Sequence, residues 1–94
     1  MNLRDIKKDI EYVIGAFVDD CTLFLNVNPG KNVEEITGLI DEAVELFNTL
    51  RNRISLPEGD KKAFYAGIRK ELLESVDGLY DKLSAAVKKG LADA

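Results

Sequence analysis

The sequence predicts an all-α fold, an up-down-up antiparallel three-helix bundle, and two observations carry that prediction. The first is periodic: apolar residues recur at three- and four-residue steps in three separate blocks, most clearly as Val33, Ile36, Ile40, Ala43, Phe47, Leu50 and Ile54. Such spacing follows one face of an α-helix, and an alternating strand would not produce it. The second is punctuation: the two prolines lie in Asn28-Pro29-Gly30 and Leu56-Pro57-Glu58-Gly59-Asp60, where the blocks separate. Connections of about four to six residues make sequential helices antiparallel neighbours.

The first helix is expected from Leu3 to Asn26. Its stripe is Leu3, Ile6, Ile10, Val13, Phe17, Cys21 and Phe24, widened by Ile14, Val18 and Leu25. Together these cover about 140° of arc, the width of a bundle helix's buried face. Proline restricts the residue before it and glycine supplies a turn conformation, so the helix stops at Asn28-Pro29-Gly30. Asn32 followed by Glu35 matches a capping box, which opens a second helix from Val33 to Arg53. Acidic residues crowd the early part of this helix and Arg51 and Arg53 close it, in keeping with the helix dipole.

Asp60 is the expected N-cap of the third helix, which runs from Lys61 to Lys89 on Tyr65, Ile68, Leu72, Val76, Leu79, Leu83 and Ala86. Ser75-Val76-Asp77-Gly78 offers an alternative break into a fourth helix. Because the apolar series stays in phase from Leu72 to Leu79, one long helix is preferred, with Gly78 the place where it would kink. The 94 residues read as one domain without repeats or linkers.

Composition bounds the function. Apolar residues make up 46% and charged residues 32%, as in a folded soluble domain. The net charge of −4 disfavours non-specific attraction to nucleic acid or anionic membrane. No run approaches the length of a membrane span, and the first ten residues lack the apolar core of a secretory leader. A single cysteine, Cys21, cannot form an internal disulfide, so a reducing cytoplasm is the expected location.

The chain contains no histidine, which removes the commonest general base and metal ligand. One cysteine builds no thiolate zinc site, and neither a phosphate-binding glycine loop nor a calcium loop is present. No catalytic residue, metal, cofactor or small-molecule substrate is therefore expected. Cys21 reads as a small buried hydrophobe whose acidic neighbours Asp19 and Asp20 oppose thiolate formation. These two carboxylates, like Glu34 and Glu35, read as a solvated face, although Asp20 borders the apolar arc within reach of a hydrogen bond to the bundle.

No motif specifies a biochemical activity, and what remains is surface. Tyr12 and Leu23 lie nearly opposite the core stripe of the first helix. Leu39 and Leu46 widen the second stripe to about 160°, and Leu73, Tyr80 and Leu91 form a flank on the third. Apolar arcs wider than a three-helix core requires point to a protein partner, a homodimer being the commonest form. Tyr12, Leu23, Leu73 and Tyr80 are the expected anchors. The alternative is an anion or nucleic-acid site at the end where Arg4, Lys8, Arg51, Arg53, Lys61 and Lys62 converge. That end sums to +3 against −7 for the rest of the chain. Helix-dipole complementation accounts for Arg51 and Arg53 without a ligand, and stacking aromatics are few, so nucleic acid is the weaker partner. Gly15, Gly38, Gly67 and Gly78 face away from the core and read as tolerated imperfections rather than a helix-docking strip.

Overall fold

Each helix boundary follows from how the chain satisfies its free backbone groups. At the start of α1 (Leu3–Val27) the Asn2 side chain accepts a hydrogen bond from the Asp5 amide at 2.9 Å, a cap the apolar pattern did not reveal. The helix ends at Asn28, whose backbone and side-chain nitrogens both donate to the Phe24 carbonyl. After the turn, α2 runs Val33–Ile54 and α3 runs Lys61–Ala92. The Asp60 carboxylate accepts from the Lys62 amide at 3.3 Å, as its N-cap position predicts. This computed structural model describes residues 2–92.

The three helices pack against one another as an elongated bundle of 51 × 17 × 16 Å. No strand occurs among the described residues. α3 is a single helix of 32 residues that runs through Gly78 without a break. At 1.5 Å per residue it spans about 48 Å, nearly the whole molecule. Pairing of Arg69 with Asp9 and of Tyr80 with Asp20 sets α3 parallel to α1 with a sixty-residue offset. The last turn of α3 therefore extends past the end of α1 and covers the α1–α2 turn.

The core contains Ile6, Ile10, Ile14, Phe17 and Cys21 of α1, Ile36, Leu39, Ala43, Leu50 and Ile54 of α2, and all seven stripe residues predicted for α3. Among the described residues no charged or polar side chain is buried with them. Two expectations need correction in α2. Val33 is exposed and Ile40 and Phe47 are only half-buried, whereas Leu39, assigned to the margin, is buried. The reason is the side on which α3 sits: it closes over the flank carrying Leu39, Glu42 and Arg53, and leaves the Val33–Val44 flank open.

The capping box at Asn32 does not form. Asn32 adopts the left-handed conformation, φ 48° and ψ 38°, and its side chain caps no α2 amide. Instead its amide nitrogen crosses to α3 and donates to the Ala86 carbonyl at 2.7 Å. A left-handed residue is tolerated at asparagine better than at most side chains, and this one turns the chain toward α3. Gly90 completes the clasp: a Cβ there would lie 3.3 Å from the Asn32 amide nitrogen and 3.5 Å from Lys31 Cβ.

Candidate interaction surfaces

α3 supplies every polar tie between side chains of different helices among the described residues. Its Arg69 pairs with Asp9 of α1, and its Glu71 and Lys82 pair with Arg53 and Glu42 of α2. Its Tyr80 donates to the Asp20 carboxylate at 2.6 Å. α1 and α2 cannot pair with each other in this way, because α1 from Asp9 to Val27 and α2 from Val33 to Leu50 contain no lysine or arginine. Nine carboxylates occupy those same stretches. Glu11, Asp19, Glu34, Glu35, Asp41 and Glu45 form no ion pair among the described residues.

Between α1 and α2 lies an open cleft of about 350 Å³, floored by Ile14, Val18, Val44 and Phe47 and rimmed by Glu11 and Asp19. Gly15 forms part of its wall, and a Cβ on Gly15 would meet nothing within 4 Å. Below it, toward the basic end, Lys7 and Arg51 come together beside Leu3, Ile54 and Ser55. The side-chain periodicity pointed to neither the cleft nor the role of Gly15, since the wheel shows a glycine facing outward but not what lies beside it.

Of the four expected anchors, Tyr12 is 79% exposed and Leu23 61%, on one strip of α1. Eleven residues separate them, about 16 Å along the axis. Leu73 is also exposed and lies on α3 at the level of Val13. Tyr80 differs from the other three. Its ring packs edge-on against Phe17 with centroids 4.9 Å apart, and its hydroxyl is committed to Asp20. That contact is the hydrogen bond anticipated for Asp20, and it ties Tyr80 to its own chain. Burial first, then this hydrogen bond and the carboxylate charge, push the Tyr80 hydroxyl up to about 12. Cys21 is fully buried beside it, and burial followed by the Asp20 charge raises its thiol to about 11. A thiol so raised is a poor nucleophile at neutral pH.

The structure does bring the six basic residues to one end, at the start of α1, the end of α2 and the start of α3. They are not equally free. Arg53 is paired with Glu71, and the Arg51 guanidinium sits over the Phe47 ring at 5.8 Å. Arg4, Lys8, Lys61 and Lys62 are exposed with no ion pair among the described residues. No group of acidic or sulfur side chains converges as a metal site among the described residues, and no described helix is long and apolar enough to cross a membrane.

No family model matches the chain, and no curated protein or solved structure matches it significantly.

Proposed function

We propose that this protein acts through protein–protein contact, and that its first partner is a second copy of itself. The observation that carries this reading is apolar surface left over after the core is complete. Val44 remains 47% exposed at a cleft it shares with Val18 and Phe47, while seventeen buried side chains already fill the space between the helices. Scattered exposed apolar groups are ordinary, but here they accompany an open apolar cleft on a domain of 94 residues. A closed two-fold dimer is the commonest way for such surface to be covered. The lone thiol fits a reducing cytoplasm as the setting. Sedimentation at micromolar concentration tests the reading: a dimer is expected, and a strict monomer at about 100 μM, where a Kd of ~1 μM would give almost complete association, refutes it.

A second reading, anion binding at the basic end, is favoured by Lys61 and Lys62 on the first turn of α3, which form no ion pair among the described residues. It predicts binding of a short oligonucleotide or polyphosphate at low salt, lost when Arg51 and Lys62 are neutralised together.

A further inference from the structure

We infer that the second copy docks on the α1–α2 face, laid antiparallel, so that the basic end of each copy covers the carboxylates of the other. This rests on the self-association reading and assigns it a face and an orientation, and the face is not the strip that bears Tyr12 and Leu23.

Three observations select this occupant. The first is charge. Lys7 and Arg51 lie at one end of this face and Asp19 beside its cleft, and the sequence puts Arg4 and Lys8 at that same end of α1 and Asp41 and Glu45 away from it on α2. None of these seven forms an ion pair within its own chain among the described residues. A surface basic at one end and acidic at the other is complementary to itself when turned end for end. A two-fold axis crossing the face at the level of Val13 and Leu46 sets Lys7 of one copy opposite Asp19 of the other. The same axis sets Arg51 opposite Asp41.

The second observation is shape. The cleft lined by Ile14, Val18, Val44 and Phe47 lies near that axis, and Gly15 presents bare backbone with open space around it. Helices approach most closely where such a residue lies between them. The third is area. One long side of a 51 × 17 × 16 Å molecule projects roughly 850 Å², close to the ~800 Å² per partner that a standard interface buries. The seams beside α3 are less suited, because Arg69, Glu71 and Lys82 there are already paired within the chain.

The test is sedimentation of the whole chain, with circular dichroism melts to show that each variant folds. Gly15→Glu adds a charge to the cleft at a position where a Cβ meets nothing within 4 Å, so the monomer is expected to fold, as its melt will show, and the dimer to be lost. Arg51→Glu and Asp41→Arg each weaken association by about tenfold or more, and combining them restores it. The Tyr12→Ser/Leu23→Ser double variant leaves the dimer unchanged. A wild-type dimer that survives Gly15→Glu and both charge reversals, or that Tyr12→Ser/Leu23→Ser dissociates instead, overturns this face while self-association stands. A wild-type monomer overturns both.

Discussion

The two seams around α3 and the face between α1 and α2 are built differently. Around α3, apolar packing is reinforced by Arg69–Asp9, Tyr80–Asp20, Lys82–Glu42 and Arg53–Glu71. Between α1 and α2, packing is apolar only, because the facing stretches carry carboxylates and no base. Exposed ion pairs add little energy, typically less than about 1 kcal/mol, but they penalise wrong registers of two sliding helices. The α1–α2 pair needs no such device, since the short clasped turn at Asn32 sets its register. Six of its nine carboxylates, Glu11, Asp19, Glu34, Glu35, Asp41 and Glu45, form no ion pair among the described residues.

That contrast is easiest to break in the core. Phe17→Ala removes a fully buried ring and the support of Tyr80 together, and is expected to cost about 3–5 kcal/mol by urea unfolding. A loss under 1 kcal/mol would mean that the α1–α3 seam does not depend on this packing.

The clasp is expected to matter next. Asn32→Ala loses a part-buried hydrogen bond and leaves in the left-handed region a residue that tolerates it less well than asparagine, for a combined cost of about 2 kcal/mol. Two glycines then sharpen the comparison between regions. Gly15→Ala should stabilise the fold by about 1 kcal/mol through helix propensity, since its surroundings are open. Gly90→Ala should give no gain, because the new methyl crowds the Asn32 amide held on Ala86. Equal effects at the two positions in thermal melts would contradict the clasp.

Alkaline pH separates the buried α1–α3 seam from the rest. The Cys21 thiol rises from 9.0 to about 11 and the Tyr80 hydroxyl from 10.0 to about 12 on folding. Both groups hold their protons more tightly when folded, so their contribution is fully present below pH 9. It is lost as pH climbs toward 12, because the unfolded state sheds protons first. Melting temperature should therefore fall across that range, and less steeply in Cys21→Ala. Iodoacetamide at pH 8 should label Cys21 only after unfolding. The smallest effect belongs to the surface: Lys82→Met breaks the pair with Glu42 at a cost below about 0.5 kcal/mol, screened by salt.

Legibility followed the periodicity closely in α3, where all seven stripe residues are buried, and less closely in α2. A helical wheel shows that Val33 and Leu39 lie on opposite margins of one stripe, but it has no means of telling which margin the third helix will cover. Asn32 departs from its local sequence pattern for a related reason. Asn-x-x-Glu is the local signal of a capping box, and a carbonyl fifty-four residues away outcompeted the local amide for its side chain. The candidate surface was legible only in part. Exposed Tyr12 and Leu23 follow from the wheel, but the withdrawal of Tyr80 into the chain and the bareness around Gly15 depend on neighbours from other helices.

The sequence by itself determined three helices, their ends to within a few residues, and their antiparallel order, since these rest on local periodicity and turn chemistry. Tertiary structure alone decided on which side of the α1–α2 pair the third helix lies. That choice buries Leu39, engages Tyr80 and Asn32, and leaves one acidic, glycine-bearing face open, because burial and pairing depend on groups distant in the chain.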